Sequence, residues 1–360
     1  MLKKINLPVW SISLPVVGII LMLLASSWSG TVMNLVMTAG LVGVVLAAVH
    51  HAEVVAHRVG EPFGTLILAV AITIIEVSLI VSIMLTEGES AAALARDTVF
   101  AAVMIILTGM VGLCLLVGGY RYREQVFVKE GVSAALIVLT AISVLTLILP
   151  NYTTSVAGPY YSKSQLIFVA IVSFVLYGAF ISMQTIRHRD YFLPATRIED
   201  EEEHAAPPSN LTTFTSLGLL MVSLVAVVLL SKKLSPALEL LVADMGAPKS
   251  LVGVLIATVI LLPEGMAALR AARLNRLQTS LNLALGSALA CIGLTIPAVA
   301  IVSHVLDFPI TLGIDTKSTV LFITSLLVLK LFLGAGRSNI LQGIVLLVLL
   351  ATYFFITIVP

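Results

Sequence analysis

Of the 360 residues, 59% are hydrophobic and only 11% are charged, against roughly 25% charged in an ordinary soluble domain, so a soluble globular fold is excluded. Twenty Lys and Arg against nineteen Asp and Glu leave a net charge of +1, and no general basic surface exists to hold a nucleic acid. Cys114 and Cys291 each lie inside a long apolar run. With no Cys or His at ligand spacing, they read as small core hydrophobes rather than a disulfide or a zinc site.

A bilayer core about 30 Å thick needs about 20 apolar residues of helix. Runs of that length, bounded by charge, Pro or polar clusters, occur at 7–27, 31–50, 62–85, 98–118, 131–149, 165–186, 211–231, 250–270, 280–302, 318–336 and 339–358. Backbone polar groups in lipid must be satisfied within each segment, so the expected fold is an all-α integral membrane protein of eleven transmembrane helices. The first run follows Lys3 and Lys4 and is longer than a signal-peptide core, which makes it an uncleaved first span. At the end of the second run and in the loop beyond it, His50, His51, Glu53, His57 and Glu61 cluster. Its histidines could sense internal pH, and an interfacial polar belt explains the cluster equally well.

Lys3, Lys4, Arg58, Arg121, Arg123, Arg270 and Arg273 all fall on one side if the amino terminus is cytoplasmic, with fewer basic residues opposite. That bias places the amino terminus in the cytoplasm and the carboxyl terminus outside. Residues 187–210 differ from every other loop: Ile198 to His204 reads IEDEEEH and is followed by Ala-Ala-Pro-Pro-Ser-Asn, an acidic cytoplasmic linker. The chain then divides into a first transmembrane helix (1–30), a five-helix repeat (31–186), the linker (187–210) and a second five-helix repeat (211–360). An odd number of spans in each repeat makes the second enter the membrane from the other side, so the repeats are inverted. GEPFG (Gly60 to Gly64) and GAPKS (Gly246 to Ser250) open corresponding helices, and the helices that follow carry Gly109 and Gly112, or Gly286 and Gly293, beside a cysteine.

Two acids lie well inside apolar spans, Glu76 in AITIIEVSLI and Glu264 in TVILLPEGMAAL. An ionised carboxylate in hydrocarbon costs about 2.5 kcal/mol or more, so such a residue normally faces an internal cavity and changes protonation with its surroundings. In inverted repeats the two reach comparable depths from opposite faces. Pro263, just before Glu264, removes one helix hydrogen bond and frees a carbonyl for a cation. Glu76 and Glu264 are therefore expected to bind a hard metal cation and protons in turn. Thr73, Asn282 and Ser287 could add oxygens, although Thr and Ser often bond back to their own helix and small polar residues often serve helix packing. The plain alternative is that each glutamate is a neutral structural acid.

The runs HAEVVAHRVGEPFGTLILAVAITIIEVSLI (His51 to Ile80), RDTVFAAVMIILTGMVGLCLLVGG (Arg96 to Gly119) and LLPEGMAALRAARLNRLQTSLNLALGSALACIGLTIPAV (Leu261 to Val299) resemble the calcium/cation antiporter superfamily over essentially the whole chain. The resemblance implies a bacterial inner-membrane antiporter that exchanges Ca²⁺ for H⁺, with Na⁺ or K⁺ as further candidate cargoes, and with Glu76 and Glu264 matching the paired acids of the two repeats. The family pattern of Gly-Asn before each acid is replaced here by Ile72 and Thr73, and by Ile260 and Leu261, and a later Gln by Ala290. Those losses weigh on Ca²⁺ selectivity. The remaining rivals are a monovalent Na⁺(K⁺)/H⁺ antiporter and a cation channel. No paired Asp, HExxH or Ser with Lys or His supports an enzyme, and no cofactor is expected beyond the transported ions. The expected partners are inorganic cations, protons and the lipid bilayer.

Overall fold

A computed structural model describes residues 7–24, 30–60, 63–87, 92–193, 207–244, 246, 248 and 250–359. Among the described residues eleven helices follow one another: α1 (Val9–Leu24), α2 (Thr31–Val59), α3 (Phe63–Glu87), α4 (Leu94–Tyr122), α5 (Lys129–Tyr152), α6 (Lys163–Arg187), α7 (Asn210–Asp244), α8 (Ser250–Arg273), α9 (Leu277–Leu306), α10 (Thr316–Leu333) and α11 (Ile340–Ile358). Among the described residues, nine are long and apolar enough to cross a membrane, while α1 and the stretch Ala69–Leu85 of α3 are shorter apolar helices. The protein is thus an all-α, multi-pass membrane protein, as its hydropathy requires. The acidic run Glu199 to Glu203 lies outside the described residues.

Two helices run further than their apolar sequence. The spacing of apolar residues stops the second span at 50 and the seventh at 231, but α2 continues through His57 to Val59 and α7 continues through Lys232, Lys233 and Pro236 to Asp244. Hydropathy marks where lipid-compatible sequence stops, whereas a helix stops only where its own hydrogen bonding does, and Lys is a good helix former. His50, His51, Glu53 and His57 consequently all sit on α2 rather than partly in a loop, and Glu61 lies outside the described residues.

The chain forms two compact units, Met1–Glu87 with Ile198–Met245, and Gly88–Arg197 with Gly246–Pro360. The first holds α1, α2, α3 and α7. Its core is built on small residues: Val44, Ala47, Ala48 and Ala52 of α2 and Ala226, Val227 and Leu230 of α7 are all fully buried. Gly18 of α1 faces Val44 and Ala226. In lipid, helix association depends on close packing rather than on expulsion of water, so small residues at the contact are what hold this unit together.

The second unit holds α4 to α6 and α8 to α11. There α4 and α11 run antiparallel, with Gly112 against Leu346 and Gly343 against the backbone of Leu116, so close that a side chain on Gly343 would strike main-chain atoms. Phe100 packs edge-on against both Phe322 and Tyr353, with ring centroids 6.0 and 5.6 Å away. At one end a two-residue strand β1 (Gln125–Val126) pairs antiparallel with β2 (Arg337–Ser338). At the other, residues 310–314 run extended and are tied down by backbone bonds: Thr311 N–H donates to Ala92 O, Leu312 and Gly313 N–H to Pro159 O, and Ile314 N–H to Leu147 O. Three helices of this unit also carry a π-helical turn, Ile105–Met110 in α4, Val144–Ile148 in α5 and Met183–Arg187 in α6. Such turns are frequent at functional sites because they leave backbone groups unpaired and let a helix change register. The carbonyl of Leu145 within one of them is capped by the Tyr161 hydroxyl at 2.5 Å.

Candidate functional site

Glu264 sits in the middle of α8, immediately after Pro263, in a helix that stays continuous through the proline. Without an N–H, Pro263 leaves the carbonyl four residues earlier, Val259, lacking its usual donor. The half-buried Glu264 carboxylate is held from α9, where the Ser287 hydroxyl donates to Oε2. A hydroxyl donating to a carboxylate is a charge-assisted bond, stronger than a neutral one, and it fixes the direction in which the acid points. From α6, the buried ring of Tyr177 packs on α9, the helix that carries Ser287. Tyr177 reaches this place because α9 carries Gly293 beneath it: an added Cβ there would lie 2.9 Å from Tyr177 Cβ. The π-helical turn of α4 closes a further side, with Met110 against Gly265. Glu264 of α8, bonded to Ser287 of α9, therefore sits where α8 and α9 meet the π-helical turn of α4, with the Val259 carbonyl on its own helix.

The other sequence-nominated residues fall elsewhere. Asn282, on α9, donates its amide to Phe192 O at 2.6 Å and accepts from Gln278 at 2.9 Å, so it ties the segment after α6 to α9. Glu76 lies on α3 in the first unit, 3% exposed, one turn from the buried Thr73 and among Ile72, Ile75, Leu79 and Ile80. His51 is fully buried on α2 and bonds through Nε2 to Ser11 O at 2.8 Å, whereas His57 is exposed.

Two features escaped the sequence. Tyr177 packs on the helix that carries Ser287, and its only signal was a phenol in mid-span before Gly178. The second is an ionic cluster at the end where residues 310–314 cross. Arg96 Nε donates to Asp97 Oδ1 at 2.7 Å and Nη1 to Gly313 O at 2.9 Å, beside an open pocket of about 330 Å³ that Asn151 and Asp315 also line. Asp97 is the first-turn acid of α4, and Gly253 of α8 lies directly on its backbone. Because Asp97 and Gly253 meet at one level and Met110 and Gly265 at another, α4 and α8 run side by side in the same direction from this cluster to Glu264. Outside the spans, Lys163 pairs with exposed Asp307 at 2.6 Å and holds that carboxyl below its ordinary range.

Residues 29–186 and 215–359 match the family described as sodium/calcium exchanger protein. The putative ionic transporter y4hA of Sinorhizobium fredii is 44% identical over 99% of this chain and 98% of its own length. The sodium-potassium/proton antiporter ChaA of Escherichia coli is 34% identical over 89% of this chain and 87% of its own length. Among solved structures, native YfkE matches with a TM-score of 0.72 at 18% identity over 97% of this chain and 100% of that one. The H⁺/Ca²⁺ exchanger CAX matches with a TM-score of 0.72 at 14% identity over 96% and 89%.

Proposed function

The chain belongs to the sodium/calcium exchanger protein family, and from that membership we propose that it is a cation/proton antiporter in which Glu264 takes a metal cation and a proton in turn, with Glu76 as the matching acid of the first repeat. The observation that carries this reading is the intramembrane carboxylate of Glu264, oriented by Ser287 and carried on a helix in which Pro263 releases the Val259 carbonyl. An ionised carboxylate left alone in hydrocarbon costs about 2.5 kcal/mol or more, so departure of the cation calls for a proton in its place. Competition of two ions for one group, with reorientation only when the group is neutralised, gives exchange rather than a leak. The resemblance to the superfamily favours Ca²⁺ as one cargo.

Oxygen supply favours a second reading in which Na⁺ or K⁺ is the main cargo. Ca²⁺ takes six to eight oxygens, yet Ile260, Leu261 and Ala290 offer no side-chain oxygen near Glu264. A singly charged ion asks less of such a site, and the E. coli relative bears the name of a sodium-potassium/proton antiporter. We place the acidic linker and the amino terminus in the cytoplasm of a bacterial inner membrane, where an inward proton gradient would drive the cation outward. The test is purified protein in vesicles with an imposed pH gradient, to which Na⁺, K⁺ or Ca²⁺ is added. The wild type is expected to dissipate the gradient with at least one of these ions, Glu264→Gln with none. Dissipation by Ca²⁺ alone selects the calcium reading, dissipation by Na⁺ or K⁺ alone the monovalent one, and dissipation by the Glu264→Gln variant would remove Glu264 from its role.

A further inference from the structure

Away from Glu264, the first unit holds a pair of adjacent histidines whose ring nitrogens are incompletely used. His51 is fully buried on α2, and since Ser11 O can only accept, His51 Nε2 must carry the proton it donates across 2.8 Å. The neutral ring then has a bare lone pair on Nδ1, and that atom is buried with no hydrogen-bond partner. The Nε2 of neighbouring His50 is likewise buried and unpartnered, and the His50 ring leans on Trp10 with centroids 5.1 Å apart. The two imidazoles lie 5.8 Å apart. Both contacts are to the first turn of α1, where Ser11 also bonds back to Pro8. The α1 turn is therefore held on α2 by two histidines, one through a hydrogen bond and one through ring contact.

We propose that the His50–His51 pair is a regulatory proton-binding site, separate from Glu264, at which a proton taken up on His51 Nδ1 releases the first turn of α1 from α2. Protonation adds a donor and a positive charge at an atom that has no acceptor, and a buried donor without a partner is costly, so the ring must turn or admit water. Either change disturbs the contact at Ser11, and the charge also acts on His50. Helix α1 has no titratable side chain between Val9 and Leu24. On α7 the lysines nearest in sequence to its start, Lys232 and Lys233, stand about 33 Å along the helix from Asn210, which itself engages Arg58 at 2.6 Å. On α3, Glu76 stands 13 residues beyond Phe63. On α2 itself the charged or titratable neighbours are Glu53, His57 and Arg58, all exposed. Lys3, Lys4 and Glu61 lie outside the described residues. An imidazole is the side chain whose charge changes in the physiological range, so this site would report the pH of the compartment that bathes the end of α2. Its consequence for transport rests on the exchanger reading, but its proton binding does not.

Trp10 provides the readout. The chain has two tryptophans, so Trp28→Phe leaves Trp10 as the only indole, and adding Glu264→Gln separates this site from the transport acid. In vesicles, Trp10 emission is expected to shift to longer wavelength as pH falls from about 8 to about 5, because release of the turn brings water to the ring. The shift is expected to be lost with His51→Gln and kept with His57→Gln. Emission that does not move with pH, or a shift that persists in His51→Gln, overturns the proposal. Should His51→Gln fail to fold, ¹⁵N-histidine spectra of the unmutated protein decide: one ring with a bare Nδ1 at alkaline pH must become doubly protonated on acidification, and its absence also overturns it. If the Trp10 shift is present while vesicles of the Trp28→Phe protein with Glu264 intact carry no exchange, the histidine site stands and the exchanger reading falls.

Discussion

At the scale of a residue, Ser287 is the most informative side chain beside Glu264. Its hydroxyl donates to the carboxylate that, on the proposed reading, meets a cation. A hydrogen bond to a charged group contributes about 1.5 to 3 kcal/mol, so Ser287→Ala should weaken apparent cation affinity roughly tenfold or more while leaving the fold intact. Ser287→Thr, which keeps the hydroxyl, should restore most of it. Ion-dependent dissipation of a pH gradient, titrated with each cation, measures both. Unchanged affinity in Ser287→Ala would mean that the bond to Glu264 is a packing detail. Glu264 and Ser287 were legible in the sequence because an acid and a small polar residue stand out in apolar runs. Tyr177 and Asp97 were not, since a mid-span phenol has many uses and Asp97 reads as the edge of a loop until Arg96 and Gly253 are seen to enclose it.

At the scale of an element, eleven helices could be read from hydropathy because lipid leaves the backbone no alternative. Their true ends could not. Helix α7 runs past two lysines and a proline that apolar counting treats as a boundary, and the π-helical turns depend on packing that no single segment encodes. Close helix approach at glycine is testable here. Gly343→Ala would put a methyl group against the Leu116 backbone of α4, whereas Gly218→Ala on α7 meets open space. Overpacking costs about 1 to 3 kcal/mol, and alanine in place of an unconstrained helical glycine gains about 0.5 to 1 kcal/mol. Thermal unfolding in detergent should therefore show a lower Tm for Gly343→Ala and an equal or higher Tm for Gly218→Ala. The acidic linker belongs to the same scale. Replacing Glu199 to Glu203 with Ser should leave exchange running and change at most its apparent affinity or pH dependence, because a polar connection supplies no ligand inside the membrane. Complete loss of exchange in a folded variant would make the linker part of the mechanism.

At the scale of the whole molecule, the two repeats are expected to move a shared cargo by alternating access, and the matched residues 29–186 and 215–359 fall on either side of the acidic linker. One carboxylate serving two ions sets the pH behaviour: acid should weaken cation uptake because protons occupy the site, and strongly alkaline conditions should slow the return step for want of protons. Exchange should therefore rise into the alkaline range and then level or decline. Glu76→Gln should abolish exchange as Glu264→Gln does, with expression unchanged, because an amide keeps the shape but can neither neutralise a cation nor take its proton. Calorimetry of cation binding to the purified protein, repeated in buffers of different ionisation enthalpy, tests the central claim most directly. The account predicts that cation uptake releases protons and that this release disappears in Glu264→Gln. Cation binding with no proton release at any pH, or an undiminished release in Glu264→Gln, would contradict it.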